Sequence, residues 1–313
     1  MFELFKKRDF SSYISDTIAF FKTFGKHFFK NYAIINGGFL LILCVLMYFI
    51  VKVYFEVLFA NTGAEQGSYF LQYFNDNFAL FVGSFILFGI LIVVLSLLNL
   101  AYPVLYLQLI SEKKGAEITT AEIVLRLKQN TGRLLKFFLG SLFIIMPIML
   151  VVFGLLFALC FILICFPMIL IAGPAAMTWI YLSFYTYLTQ ETSFFTAIKN
   201  GFSLLKQHFW GIVGTTFVVL MLIQIIQSFL TMIPYIIGIV AFLTTNNSAR
   251  WNTDSSSSLG IFISVIFIFA VLLSYFFNNL VIINQGIIYY SLREENENVT
   301  SISEIDLIGT DNE

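Results

Sequence analysis

From Phe137 to Tyr187 the chain carries no charged residue. A helix made from such a stretch is apolar on every side, and a water-soluble fold leaves no room for more than a short one. A bilayer crossing needs about 20 mostly apolar residues. The stretch therefore suits two crossings, with a turn near Cys165-Phe166-Pro167. The remaining sequence agrees, being 59% hydrophobic and 11% charged overall, where soluble domains run at about 45–50% and about 25%.

Six segments are long and apolar enough to cross, at 33–59, 78–109, 137–164, 167–188, 211–242 and 259–290. The expected fold is all-α, a polytopic membrane protein with a single six-helix domain over 1–293. Several segments exceed a perpendicular crossing, which tilt or kinking accommodates. Pro103, Pro147, Pro174 and Pro234 lie inside them, and each removes a backbone donor, so bends are expected there. The residues before the first span lack the short basic start and small-residue cleavage site of a signal peptide, so that span is expected to be retained.

Cationic residues sort the loops. Lys6, Lys7, Arg8, Lys22, Lys26 and Lys30 precede the first span. Lys113, Lys114, Arg126, Lys128, Arg133 and Lys136 lie between the second and third, Lys199 and Lys206 between the fourth and fifth, and Arg293 follows the sixth. Lys52 and Arg250 alone fall on the other side. With an even number of crossings, the positive-inside rule puts both termini in the cytoplasm, in a bacterial inner membrane.

Much of this charge sits on amphipathic stretches. Wound as a helix, 10–30 gathers Phe10, Ile14, Ile18, Phe21, Phe24 and Phe28 on one face, with Lys22, Lys26 and Lys30 opposite. Residues 193–209 do the same with Phe195, Ile198, Phe202, Leu205 and Phe209 against Lys199 and Lys206. In 119–134 and just beyond, Ile123, Leu127, Leu134 and Phe138 oppose Arg126, Arg133 and Lys136, and Thr119 with Glu122 has capping-box spacing. Helices with such faces lie in the membrane surface. The chain therefore reads as three repeats, each a basic interfacial helix, an elbow (Gly25-Lys26, Gly132-Arg133, Leu205-Lys206) and a two-span hairpin. The basic side chains snorkel toward anionic headgroups; Lys22, Lys26, His27, Arg133, Lys199, Lys206 and His208 are the expected headgroup contacts.

Past Arg293 the chain turns acidic, and 294–313 reads as a disordered cytoplasmic tail. Cys44, Cys160 and Cys165 fall in apolar runs and suit packing. Two glycosylation-type patterns, at Asn246 and Asn298, are short enough to arise by chance.

Chemistry is hard to find. No zinc-protease, phosphate-loop or serine-hydrolase pattern is present. Neither His27 nor His208 has an acidic residue spaced to help it. No catalytic residue, metal ligand, cofactor site or nucleic-acid partner is expected. Lys52 and Glu56 lie one turn apart at the end of the first span and are expected to pair or snorkel. The spans do hold amides, among them Asn99, Gln224, Gln227, Asn278, Asn279, Asn284 and Gln285. In lipid these must face the bundle interior, where they join helices or line a polar cavity; Asn99, Gln224, Asn278, Asn284 and Gln285 are the cavity candidates. Gly37, Gly38 and Gly83 would allow close helix contact.

Two stretches carry a resemblance. "ETSFFTAIKNGFSLLKQHFWGIVG" is similar to the segment entering the fifth span of the bacterial six-span family named for the membrane domain of glycerophosphoryl diester phosphodiesterase, with its YciC-type relatives. "GIIYYSLREEN" resembles that family's closing tyrosine-leucine-arginine pattern, carried by Tyr289, Tyr290, Leu292 and Arg293, with Ser291 where an acidic residue is frequent. The resemblance implies a six-helix integral membrane domain of mostly unassigned function. The family enzyme's hydrolytic chemistry belongs to a separate barrel of about 250 residues, so phosphodiesterase activity is not carried over. The expectation is a noncatalytic scaffold or accessory protein contacting anionic lipids and partner proteins. The alternative is a transporter or lipid-handling protein with an intramembrane cavity.

Overall fold

The computed structural model describes residues 2–59, 74–113, 118–159, 166–245 and 253–298, and gives the backbone alone at 52–59, 159, 166–167, 241–245 and 253–261. Among these residues no strand occurs. The helices are α1 (Phe10–Phe59), α2 (Phe78–Lys113), α3 (Thr120–Gly140), α4 (Met146–Leu159), α5 (Phe166–Thr189), α6 (Phe194–Gln207), α7 (Phe209–Thr245) and α8 (Thr253–Glu297). A π-helical turn, Ser141–Ile145, joins α3 to α4. Six stretches are long and apolar enough to cross a membrane: Phe10–Val51, Phe78–Lys113, Thr120–Ala158, Met168–Thr189, Phe209–Val240 and Phe262–Glu297. The chain is a six-span, all-helical membrane protein by length and composition. Cys160, Cys165, Arg250 and the Asn246 pattern lie outside the described residues, as do the side chains of Lys52 and Glu56.

Two of the three expected elbows are absent. The helix does not break at Gly25-Lys26, because α1 runs unbroken for 50 residues. At about 1.5 Å per residue that is roughly 75 Å, far more than the about 30 Å of hydrocarbon in a bilayer. Nor does it break at Gly132-Arg133, where α3 runs on through the π turn into α4. The π turn has a local cause. Pro147 has no N–H, and its ring clashes with the carbonyl four residues back. Widening the preceding turn, with Met146 N–H donating to Ser141 O, makes room without ending the helix. The third break exists but lies past Leu205-Lys206, which are still helical. His208, at φ −132° and ψ 50°, separates α6 from α7.

Two compact units are built from these helices: Met1–Ile35 with Leu97–Leu222 and Asn278–Glu313, and Asn36–Ser96 with Ile223–Phe277. Since α1, α2, α7 and α8 each contribute to both, the units are not sequential domains. In the second, Leu43, Met47, Leu91 and Leu95 are buried among Leu40, Phe88, Ile268 and Val271. Gln227 Nε2 donates there to Ser274 Oγ (2.9 Å) and Ala270 O (3.3 Å), tying α7 to α8. Gly37, Gly38 and Gly83 have nothing within 4 Å of where a Cβ would stand, so they do not mediate the close approach expected of them.

The first unit holds most of the buried polar and aromatic side chains. Its N-terminal residues fold onto it through Arg8, whose side chain is fully buried. Arg8 Nε donates to Asp16 (2.7 Å) and its terminal nitrogens to the carbonyls of Leu4 (2.9 Å), Lys6 (3.0 Å) and Glu3. Phe5 then packs edge-on against Tyr290, centroids 5.1 Å apart. Arg8 is thus not the loose surface charge its neighbours Lys6 and Lys7 suggest. The capping box is present as expected: Thr119 Oγ1 accepts from Glu122 N–H (3.3 Å), and Glu122 accepts from Thr119 N–H (2.9 Å).

The amphipathic faces are used differently from the sequence pattern. In α1 the buried stripe is Tyr13, Thr17, Phe20 and Phe28, while Phe10 and Ile18 are exposed. The apolar arc is wide, and one edge packs while the other stays open. In α3, Ile123, Leu127, Leu134 and Phe137 are buried, with Phe137 in place of Phe138. In α6 the packed stripe is Ala197, Gly201 and Leu205, whereas Phe195 is 70% exposed. Small residues face the protein there, and Phe195 and Phe202 face outward. At the other end, α8 carries Glu294 to Glu297 as helix, so the acidic segment is ordered to that point.

Candidate functional site

The intramembrane amides are the natural candidates, and the first unit gathers most of them. Asn99 Oδ1 accepts from the Tyr32 hydroxyl (2.9 Å) and from Asn279 Nδ2 (3.2 Å), linking α1, α2 and α8. Asn284 Nδ2 donates to Thr17 Oγ1 (2.9 Å) and Tyr13 O (3.3 Å). Gln285 Nε2 donates to Thr216 Oγ1 (2.8 Å), which is itself 2.8 Å from Thr178 Oγ1, so α8, α7 and α5 are joined. Asn99, Asn284 and Gln285 are all buried. Asn278 is half-buried and accepts from the Tyr181 hydroxyl (3.2 Å). Gln224 belongs to the second unit, is exposed, and donates to Ser228 (3.4 Å). Asn99, Asn278, Asn284 and Gln285 thus fall in the first unit, where each bonds to protein groups, and Gln224 falls in the second.

Aromatic rings fill the space around these bonds. Tyr185 stacks on Tyr289 at 5.4 Å and donates its hydroxyl to Ile282 O (2.8 Å). This fit depends on Gly286: a Cβ there would stand 2.3 Å from the Tyr185 hydroxyl and from Leu107 Cδ1. The Tyr289 hydroxyl bonds Thr189 Oγ1 at 2.6 Å. The Tyr289, Tyr290 and Leu292 pattern, with Ser291, is buried packing.

A second polar node lies where α1, α2 and α3 meet. The Tyr106 hydroxyl is 2.8 Å from His27 Nδ1, the Tyr102 hydroxyl donates to Phe28 O (2.5 Å), and Asn31 Nδ2 donates to His27 O (2.9 Å). Thr120 donates to Asn31 Oδ1. His27 has protein partners in Tyr106, 79 residues away, and in Asn31 one turn on, which in turn accepts from the distant Thr120.

The remaining headgroup candidates divide. Lys22, Lys26, Lys199 and Lys206 are exposed. Arg133 is half-buried, stacked 4.7 Å over the Tyr187 ring and donating to Tyr187 O, so part of its guanidinium is used within the protein. His208 Nε2 lies 3.0 Å from Glu295 Oε2, the acidic partner that sequence spacing did not offer because 87 residues separate the two. Asn296 Nδ2 adds a bond to Gln207 Oε1 (3.2 Å), so the end of α8 is fastened to the elbow. Beside that elbow, Lys206, Gln207, His208, Phe209, Trp210 and Gly211 line a groove of about 570 Å³ together with 8–10 and Tyr13. Ser12, through its hydroxyl and its amide, holds the nearby Asp9 carboxyl below its ordinary value. Among the described residues no group of three His, Cys, Asp or Glu side chains stands close enough to hold a metal. No protein-family model, curated protein or solved structure matches the chain.

Proposed function

We propose that the chain is a noncatalytic scaffold or accessory protein of a bacterial inner membrane, with both termini cytoplasmic, that contacts anionic lipids and partner proteins through its basic helix faces. One observation carries the reading. Asn99 Oδ1, Asn284 Nδ2 and Gln285 Nε2 are bonded to protein groups, while Lys22, Lys26, Lys199 and Lys206 stay exposed. Amide atoms engaged between helices favour a packed bundle, and exposed lysines beside outward-facing Ile18, Phe195 and Phe202 suit a membrane surface. The resemblance to the six-span family of the glycerophosphoryl diester phosphodiesterase membrane domain fits this reading and adds no reaction to it.

Replacing Lys22, Lys26, Lys199 and Lys206 by Glu reverses four charges. Each lysine near an anionic surface contributes about 1 kcal/mol, so recovery of anionic lipid should fall by more than tenfold, and recovery of partner proteins should fall with it. Affinity purification in mild detergent, with mass spectrometry of bound proteins and lipids, reads both. Unchanged recovery of partners and lipids would remove the reading.

A further inference from the structure

Two grooves open in the first unit, and their charges differ. One, of about 500 Å³, is lined by Phe2, Glu3, Lys6 and Asp16 among others, so carboxylates outnumber cations. The groove at the elbow has Arg8, Asp9, Lys206 and His208 in its lining. Arg8 is engaged with Asp16 and three carbonyls. His208 is engaged with Glu295. Asp9 caps α1 by accepting from Ser12 N–H (2.8 Å). Lys206 has no carboxylate partner among the described residues; its ammonium lies 4.4 Å over the Phe202 ring. Lys206 is thus the cation of the groove lining that no carboxylate holds.

Its rim is apolar. Phe10 is 44% exposed and Trp210 is 72% exposed, and both belong to its lining. A tryptophan presented outward beside a lysine, at the start of a spanning helix, has the chemistry of a membrane–water boundary. The elbow is also the one break between a basic amphipathic helix and a span among the described residues.

We propose that this groove is a discrete site for an anionic phospholipid, with the phosphodiester against Lys206 and the acyl chains leaving between Phe10 and Trp210. The proposal rests on the lipid-surface reading above and narrows it to one place. A lysine binds phosphate as a point charge. Partial enclosure screens that charge less than open solvent does. Lys199, on the same helix but outside the groove lining, supplies only diffuse attraction.

The test uses the full chain in lipid nanodiscs, with Trp179→Phe and Trp251→Phe leaving Trp210 as the sole indole of three. Quenching is measured with brominated phosphatidylglycerol or brominated phosphatidylcholine at equal mole fraction. The anionic lipid should reach half-quenching at about fivefold lower mole fraction, the effect of one lysine at such a surface. Lys206→Gln should erase that preference, whereas Lys199→Gln and excess inorganic phosphate should leave it. Equal quenching by both lipids, an equal loss with Lys199→Gln, or displacement by phosphate would each overturn the groove. No quenching by either lipid would overturn the surface reading as well, which separates the two failures. Native mass spectrometry of the wild-type and Lys206→Gln chains gives an answer without the tryptophan changes. One retained anionic lipid should disappear, and an unchanged count would count against the site.

Discussion

Gly201→Ala is expected to release α6 from α5. The added Cβ would stand 2.2 Å from Ser183 Oγ, 2.6 Å from its backbone nitrogen and 2.7 Å from its Cα. The side-chain oxygen could turn away, but the backbone of a 24-residue spanning helix cannot. A single methyl is enough, because the first carbon already meets main chain. The same face carries the Trp179 Nε1 donation to Ile198 O (3.0 Å) and the Trp179–Phe202 edge contact at 5.7 Å. Losing both with the overlap should cost about 3 kcal/mol, the upper end for overpacking. Hydrogen exchange across 194–207 reads this directly. Rapid exchange confined to that helix is the expected result, and wild-type protection would show that the approach is not tight.

Gly286→Ala comes next. Here the new Cβ meets side-chain tips, Leu107 Cδ1 and the Tyr185 hydroxyl, each at 2.3 Å. Leu107 has other rotamers. Tyr185 does not move as freely, because its hydroxyl is bonded to Ile282 O and its ring lies on Tyr289. The strain therefore passes into the tyrosine stack, and a loss of about 2 kcal/mol is expected. Gly37→Ala and Gly38→Ala are the controls. With open space at both positions, alanine should be neutral or stabilise α1 by up to about 1 kcal/mol. The thermal midpoint in detergent, followed by loss of the monodisperse species, should fall for Gly286→Ala and hold or rise for the controls. The reverse order would mean that the helix contacts are misassigned.

The contrast between these glycines marks the limit of what the sequence discloses. Six crossings follow from apolar length alone, since lipid demands it of any such chain. The Thr119–Glu122 cap is local and equally readable. A glycine's role depends on what faces it across a helix interface, and no spacing rule supplies that. Gly37, Gly38 and Gly83 look like contact sites and are open, while Gly140, Gly201, Gly238 and Gly286 make close approaches. Likewise, an amphipathic stripe says that one face is apolar but not whether protein or lipid covers it. In α6 Phe195 and Phe202 face out and Ala197, Gly201 and Leu205 pack. Helix continuity through 25–26 and 132–133 was also hidden, because breaks depend on caps and on packing more than on composition. The His208–Glu295 and Arg8–Asp16 pairs join residues that no pattern relates.

For the candidate site, the residue types were legible and their use was not. Asn99, Asn284 and Gln285 had to find partners inside the bundle. That those partners are Tyr32, Thr17 and Thr216 emerges only from the packing of α1, α2, α7 and α8. Single cysteines at Asn284→Cys, Gln285→Cys and Lys206→Cys, with Cys44, Cys160 and Cys165 replaced by serine, put this to the test in membrane vesicles. A small charged thiol reagent should modify position 206 and leave 284 and 285 unreacted from both sides of the membrane. Modification at 284 or 285 comparable to that at 206 would mean that water reaches the amides, and the helix-joining account would give way to a conducting cavity.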